Sequence, residues 1–162
     1  MRSGARCKKI FRVDSVDRKI LAQLERDGRL TVTELADRVQ LTISPCHRRL
    51  RALESSGAIR GYRAIIDHAA VGLHFEAIVF ATLERGDRNT VGAFEEALTA
   101  IRQVIQAQRL FGDPDYLLRV VAADLPGFQR LYDEQLSALP GLRRLTSTIV
   151  MKTIVEHRPL IA

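Results

Sequence analysis

The sequence predicts an α+β fold: an N-terminal part of three helices, then a part with four strands and two helices. In the first sixty residues, apolar side chains recur at helical spacing after three helix-start signals. Beyond residue 74, segments of alternating polarity are separated by two amphipathic segments. Charge divides the chain similarly, because residues 1–60 hold 14 Lys or Arg against 7 Asp or Glu, whereas residues 61–162 hold 11 against 12. The basic part predicts a nucleic-acid or membrane-surface partner.

Composition narrows the class of protein. The chain is 46% hydrophobic and 27% charged, as in ordinary globular proteins, and it has no run of about 18 apolar residues that would predict a membrane span. Residues 1–12 are basic but lack the apolar segment of a secretory signal, which predicts a flexible basic arm or an extension upstream of the true start. Cys7 and Cys46 form neither a disulfide framework nor a metal-ligand spacing, which favours a cytoplasmic location and no metal.

Local start and stop signals place the first two helices. Asp14 with Asp17 three positions later predicts an N-cap, and Asp27-Gly28 predicts the end of that helix. The run from Thr31 to Glu34 predicts a capping box for a short second helix, in which the Thr hydroxyl accepts from the Glu amide and the Glu side chain reaches back.

The third predicted helix carries the candidate binding residues. It starts at Thr42, tolerates Pro45 in its first turn, and places one apolar stripe on Ile43, Cys46, Leu50 and Leu53. Ser44, Arg48 and Arg51 point roughly the other way, with His47 and Arg49 on the flanks. A helix of this kind after a short helix is typical of helix-turn-helix recognition, although solvated basic faces that bind nothing are also common. The candidate DNA-contacting residues are Thr42, Ser44, Pro45, His47, Arg48, Arg49 and Arg51.

Several motifs agree in order and spacing with one known family. They are D-x-x-D-x-x-I-L, L-x-x-D-G-R, E-L-A-x-x-V-x-L-[ST], P-C-x-R-R-[VL]-x-x-L-E and G-x-I-x-G-Y. From about Val13 to His157 the chain resembles the Lrp/AsnC (feast/famine) family of prokaryotic regulators. The resemblance implies a winged-type helix-turn-helix domain over residues 13–60. Gln40 stands where the family usually has glycine, and a left-handed backbone there costs on the order of 1 kcal/mol.

The C-terminal part is predicted as strand, helix, strand, strand, helix, strand after an extended linker strand within residues 61–74. The predicted segments are strands 75–83, 104–111, 116–122 and 145–155, and helices around 91–101 and 125–139. This βαββαβ order predicts a ferredoxin-like sandwich over residues 75–157, with both helices on one face of an antiparallel sheet. The apolar residues of the other face predict a homodimer that covers them. The resemblance implies octamers or larger rings, and an amino acid or similar small molecule bound between dimers.

The segment between the two middle strands is the candidate effector loop. Its residues Gly112, Asp113, Asp115 and Tyr116 are similar to the family's G-D-x-D-Y ligand loop, and an Asp could hold an ammonium group while glycine amides take a carboxylate. Pro114 replaces an aromatic residue frequent in relatives, so the effector differs from theirs or is absent. The alternative is a polar hairpin with Asp-Pro turn chemistry. The resemblance also places Thr148 and Val150 at the same interface.

These patterns predict a cytoplasmic, nucleoid-associated transcriptional regulator. It binds specific double-stranded DNA, an amino acid or similar effector modulates its DNA binding or assembly, and it needs no cofactor. The first alternative is a nucleoid-like architectural protein with little sequence preference, from which the sequence does not distinguish a regulator.

The second alternative is an enzyme, since some proteins resembling this family are haem-precursor decarboxylases that use His residues on the sandwich domain. The four histidines here are scattered, at His47, His68, His74 and His157. The chain also has no phosphate-binding glycine loop, metal-ligand spacing or nucleophile motif, so we predict that it is not an enzyme.

Overall fold

The computed structural model describes residues 12–156 and 158–161, and the chain divides into two compact units. Among the described residues, unit 1 comprises residues 12–65 with 155, 156 and 158–161, and unit 2 comprises residues 66–154. Of the predicted basic arm only Arg12 falls within the described residues, and His157 lies outside them.

Unit 1 contains three helices, α1 (Ser15–Arg26), α2 (Val32–Val39) and α3 (Ile43–Ser56). Both predicted N-terminal signals are confirmed. The Asp14 carboxylate accepts from the Asp17 amide at 2.8 Å while the Asp17 carboxylate accepts from the Asp14 amide at 3.2 Å. Thr31 and Glu34 form the reciprocal box at the start of α2. These caps satisfy amides that have no partner within the helix, which fixes where each helix begins.

The three helices pack around a small apolar core. Its buried members are Ile20, Leu35, Ala36, Val39, Cys46 and Leu53. Ile43, predicted to belong to the apolar stripe of α3, is 54% exposed, and that part of the prediction is wrong. Ile43 is the first residue of α3, and the buried part of the helix begins one turn later at Cys46.

The turn between α2 and α3 has the predicted strained backbone. Gln40 adopts φ 58° and ψ 47°, the left-handed conformation, and the Leu41 amide donates to the Ala36 carbonyl oxygen at 2.9 Å. A non-glycine residue in this conformation costs on the order of 1 kcal/mol. The half-buried Leu41 packs on the core of unit 1, and this contact holds the turn that presents α3.

Unit 2 has the predicted βαββαβ order. Its elements are β1 (Phe75–Leu83), α4 (Arg88–Thr99), β2 (Val104–Arg109), β3 (Tyr116–Ala122), α5 (Leu125–Leu131) and β4 (Leu142–Ile149). A π-helical turn, Tyr132–Leu136, extends α5. The four strands form one antiparallel sheet in the order β2-β3-β1-β4. The architecture is therefore the ferredoxin-like sandwich that the sequence predicts.

Three strand boundaries differ from the prediction. Residues 61–67, predicted as a linker strand, are exposed and pair with no strand in the described part of the chain. β2 ends at Arg109 and not at residue 111. β4 spans Leu142–Ile149 and not residues 145–155, because it pairs along β1 from Leu83 to Ala77 and has almost no partner beyond that register. The extent of the pairing with β1, and not the local alternation, sets the end of β4.

The two faces of the sheet differ. On the helix face most side chains of β1 and β3 are buried, namely Ala77, Val79, Ala81, Leu83, Tyr116, Leu118, Val120 and Ala122. On the opposite face, which we call the open face, Ile78, Phe80 and Leu117 are only half-buried. An ion pair between Arg119 Nε and Glu76 Oε1 at 2.8 Å lies on the same face.

Candidate DNA interface and effector loop

Helix α3 is fixed to the rest of unit 1 by its inner side. Cys46 and Leu53 are fully buried and Leu50 is half-buried against the same core. Burial raises the pKa of the Cys46 thiol above its ordinary value. The thiol therefore stays protonated and unreactive, as expected for a packing residue.

The outer side of α3 presents hydrogen-bonding and cationic groups to solvent. The side chains of Ser44, His47, Arg48 and Arg51 are exposed, and none of these side chains has a hydrogen-bond or ion-pair partner among the described residues. Thr42 occupies the N-cap position, yet its hydroxyl makes no capping bond. A run of donors therefore extends along α3 from its first turn to its third.

Two of the predicted DNA-contacting residues differ from the others. Pro45 is half-buried in the first turn of α3. Arg49 Nη1 lies 2.7 Å from Asp14 Oδ2 and 2.8 Å from Asp17 Oδ1, and the Asp17 side chain is only 6% exposed. One guanidinium thus ties α3 to the start of α1 and neutralises a nearly buried carboxylate.

This cluster also shifts the pKa values of Asp14 and Arg49. The bonds from the Asp17 amide and then from Arg49 lower the pKa of Asp14, whereas its bonds to Asp14 and Asp17 raise the pKa of Arg49. The sequence contained both parts, D-x-x-D and R-R, but no local signal showed which arginine meets the carboxylates.

The segment after α3 folds back onto that helix. The Tyr62 hydroxyl donates to Glu54 Oε1 at 3.2 Å, and α3 ends at Ser56 with Gly57 as its C-cap at φ 79°. Burial is the main cause of the raised pKa of Tyr62, and the hydroxyl remains a donor at neutral pH.

In unit 2, the candidate effector loop connects β2 to β3. The Leu110 amide donates to the Asp115 carbonyl oxygen at 2.7 Å, Gly112 has φ 142°, and the Asp113–Pro114 peptide is cis. Phe111 is fully exposed. Glycine suits position 112 because side chains rarely adopt that backbone conformation.

The two loop carboxylates have different partners. Asp115 is half-buried and its Oδ2 accepts from the Leu83 amide at 2.8 Å, so this carboxylate fixes the loop to the end of β1. The Asp113 side chain is 73% exposed, and its Oδ1 lies 3.2 Å from Thr82 Oγ1 and 3.5 Å from Arg144 Nη2. The Arg144 side chain is 62% exposed. Asp113 is therefore the loop carboxylate that is accessible to a ligand.

Tyr116 belongs to the helix side of the sheet. Its ring lies 4.7 Å from that of Phe94, and its hydroxyl donates to Glu95 Oε1 at 2.9 Å. Burial, followed by the Glu95 contact, raises the pKa of Tyr116 to about 12. The side chain therefore packs on the helix side of the sheet. An effector at the loop could contact only the backbone of Tyr116.

The other predicted effector residues lie away from the loop within one chain. Thr148 is exposed on the open face opposite Ile78, and Val150 follows the end of β4, where its amide donates to the Glu76 carbonyl oxygen at 2.9 Å. Thr82, at the loop, is four residues from Ile78, or about 13 Å along the strand. The structure thus brings Asp113 to Arg144, a residue that the sequence analysis missed, but it does not bring Thr148 or Val150 to the loop.

The residues that the structure describes contain neither a metal-binding cluster nor a membrane-spanning helix. Over residues 12–156 and 158–161, no group of three or more His, Cys, Asp or Glu side chains could hold a metal ion. Within the same ranges, every helix is too short or too polar to cross a bilayer.

Comparison with protein families gives two matches. Residues 13–60 match a winged helix-turn-helix DNA-binding model, and residues 76–160 match the Lrp/AsnC ligand binding domain. The leucine-responsive regulatory protein of Rhizobium meliloti is 34% identical over 144 residues, covering 89% of this chain and 92% of the relative. The Escherichia coli protein of the same name is 32% identical over 149 residues, covering 92% and 91%.

Solved structures give the same result. A transcriptional regulator from Neisseria meningitidis, in complex with L-Met, superimposes with a TM-score of 0.87 at 32% identity and covers 92% of this chain and 96% of its own. The feast or famine regulatory protein of M. tuberculosis, complexed with L-methionine, superimposes with a TM-score of 0.84 at 31% identity, covering 93% and 100%.

Proposed function

Because the chain belongs to the Lrp/AsnC family of transcriptional regulators, we propose that it recognises specific DNA sites through α3 under the control of an amino acid. The single observation that carries the DNA part is the contrast between the two sides of α3. Its inner side is fixed by Cys46, Leu53 and Arg49, whereas the outer donors, Arg48 and Arg51 among them, have no partner among the described residues. A rigid helix with free donors suits base readout.

Each outer group has a defined chemical use on DNA. The guanidinium groups of Arg48 and Arg51 can bond bidentately to guanine O6 and N7 in the major groove. The hydroxyls of Thr42 and Ser44, at the start of α3, can donate to phosphates or base edges. His47 extends the same face. Arg49 contributes by holding the helix in place.

The proposed effector site is centred on Asp113 and Arg144. These exposed side chains carry opposite charges 3.5 Å apart, and such a pair stabilises the protein little, so it opens at little cost. An amino acid carries both complementary charges: its ammonium group suits Asp113 and its carboxylate suits Arg144. The two relatives whose structures contain methionine support an amino acid as the effector.

We also propose that the site is completed by assembly. Thr148 lies about 13 Å from the loop along the strand direction, so a second copy is required if both are to contact one small ligand. The half-buried Ile78, Phe80 and Leu117 on the open face supply an apolar surface for a homodimer. Larger rings formed from such dimers, and action on the nucleoid in the cytoplasm, belong to the same proposal.

Selection of binding sites from a random duplex library tests the proposal, with a footprint of the selected DNA. A regulator should enrich one motif and protect half-sites on one face of the duplex. Arg48→Ala should weaken binding to the selected duplex by about 1–3 kcal/mol. Enrichment of no motif, with equal affinity for all duplexes, would favour the architectural alternative.

The effector is tested separately by a thermal-shift screen of the twenty amino acids with the full-length protein. A ligand at 100 times its dissociation constant stabilises the folded protein by roughly 2.7 kcal/mol, which is readily measured. No shift with any amino acid would remove the effector part of the proposal and leave the DNA part intact.

A further inference from the structure

Unit 1 contains a second strongly charged surface, separate from the outer side of α3. A groove of about 400 Å³ between α1 and the end of α2 is lined by the cationic side chains of Arg18, Lys19, Arg26 and Arg38. No carboxylate lines it. We call it the basic groove.

No carboxylate among the described residues neutralises the cations of the basic groove. None of the four forms an ion pair with a carboxylate in residues 12–156 or 158–161. Glu34 lies near Arg38, but its bonds with Thr31 are the main cause of its lowered pKa and Arg38 contributes least. Four like charges around one groove repel one another, and a polyanion removes that repulsion.

Neutral donors complete the lining. The same space is bordered by the hydroxyl of Ser15 and the side-chain amides of Gln23 and Gln40. None of these three groups has a hydrogen-bond partner within the part of the chain that the structure describes. Proteins contact the phosphate oxygens of DNA with these same groups: guanidinium, ammonium, hydroxyl and amide.

The basic groove is distinct from the side of α1 that α3 occupies. Arg26 lies nine positions after Asp17, which binds Arg49 of α3, and nine positions rotate a side chain by about 180° at 3.6 residues per turn. Along the chain, however, the groove is close to the start of α3. Gln40 lines the groove and is two residues from Thr42, at most about 7 Å away.

We propose that the basic groove holds the sugar–phosphate backbone of the DNA strand that borders the major groove at the N-terminal end of α3. The major groove is about 12 Å wide, so the phosphates beside an inserted helix lie within the reach of a groove that starts so close to Thr42. The inference rests on the DNA binding proposed above and adds a contact surface that reads no sequence. The outer side of α3 supplies discrimination, and the basic groove supplies salt-dependent affinity.

The test measures the affinity of the full-length protein for a selected duplex and for a scrambled duplex between about 50 and 200 mM salt. Arg18→Gln with Arg26→Gln should reduce the slope of log affinity against log salt by about 0.9 for each phosphate that is no longer neutralised, equally for both duplexes. The ratio of the two affinities should stay within about twofold, because phosphate contacts carry no sequence information. Arg18→Lys with Arg26→Lys keeps the charge and should keep the slope.

Arg88→Gln with Arg102→Gln removes the same net charge from unit 2 and serves as the matched control. A groove variant whose slope matches that of this control would overturn the proposal. So would a groove variant that keeps the slope but no longer discriminates between the duplexes, since it would act through α3. A wild-type protein that does not discriminate between the duplexes would instead refute the proposed function, whatever the groove variant does. Melting curves for each variant confirm that it folds.

Discussion

Helix α3 and the candidate effector loop each contain two like-charged residues close in sequence, of which one is held by the protein and the other is exposed. The pair on α3 is cationic, and the pair in the loop is anionic. On α3, Arg49 is bound by Asp14 and Asp17, whereas Arg48 has no partner in the described structure. In the loop, Asp115 is bound by the Leu83 amide, whereas Asp113 is largely exposed. In each region one charge of a near-adjacent pair fixes the local structure and the other is exposed. Charged residues that look equivalent in sequence therefore differ in role.

The two regions differ in how firmly the supporting charge is held. Arg49 bonds two carboxylates, one of them nearly buried, so the tie joins two helices and neutralises Asp17. Asp115 accepts one backbone amide, at the end of β1. Removal of the Arg49 guanidinium should therefore lower the free energy of unfolding more than removal of the Asp115 carboxylate.

The largest expected effect comes from separating the regions. A fragment of residues 66–154 retains the whole sheet and both of its helices but lacks α3, so we expect complete loss of DNA binding with the fold intact. Light scattering should show self-association, because the open face remains available. A monomeric fragment that is nonetheless folded would contradict the sheet-to-sheet assembly proposed above.

The next effect compares adjacent arginines. Arg49→Ala should lower the free energy of unfolding by about 1–3 kcal/mol, because it leaves the nearly buried Asp17 carboxylate without its cation. Arg48→Ala should change it by less than about 0.5 kcal/mol and act on DNA affinity only. Urea denaturation and gel shifts of both variants measure the two quantities. Equal loss of stability would remove the distinction between the two arginines.

A smaller effect is expected in the loop. Asp113→Asn should reduce the response of DNA binding or assembly to the effector, a coupling that is typically about 1–3 kcal/mol, and should leave stability nearly unchanged. Asp115→Asn should instead destabilise the protein by about 1 kcal/mol through the weaker bond with Leu83. Calorimetric titration of both variants with the effector, beside melting curves, separates these outcomes. Undiminished effector affinity in Asp113→Asn would place the sensing site elsewhere.

The smallest expected effect is the pH dependence of the stability that the ion pair between Arg49 and Asp14 contributes. Because the folded-state pKa of Asp14 is lowered from 3.8, its carboxylate contributes stability that is present above that value and is lost as pH falls through the lowered pKa. Wild-type protein should therefore be more stable than Asp14→Asn at pH 6, and the difference should shrink towards pH 3. Urea midpoints at several pH values measure it, and a difference independent of pH would mean that the charge of Asp14 is unimportant.

Most of the fold followed from local pattern. The capping signals at Asp14 and Thr31 predicted the starts of α1 and α2, and β1 and β3 were predicted to the residue. Caps and the periods of 3.6 and 2 involve residues only a few positions apart, so a linear sequence displays them directly. The strand predicted over 61–67 was wrong, since an extended backbone becomes a strand only where a partner strand is available.

The candidate site was predictable in residue type but not in role. Ile43 fitted the apolar stripe, yet the core begins one turn after it, at Cys46. Arg144 carried no signal, because its pairing with Asp113 depends on the register that sets it opposite Thr82.

The sequence by itself determined the order of helices and strands, the basic character of the N-terminal part and the groups available for chemistry. Only the tertiary structure decided which of those groups are already bound. Arg49 meets carboxylates 32 and 35 positions away, and Asp115 meets an amide 32 positions away. Contacts over such separations are set by how the elements pack, and packing is a property of the whole fold that no local spacing encodes.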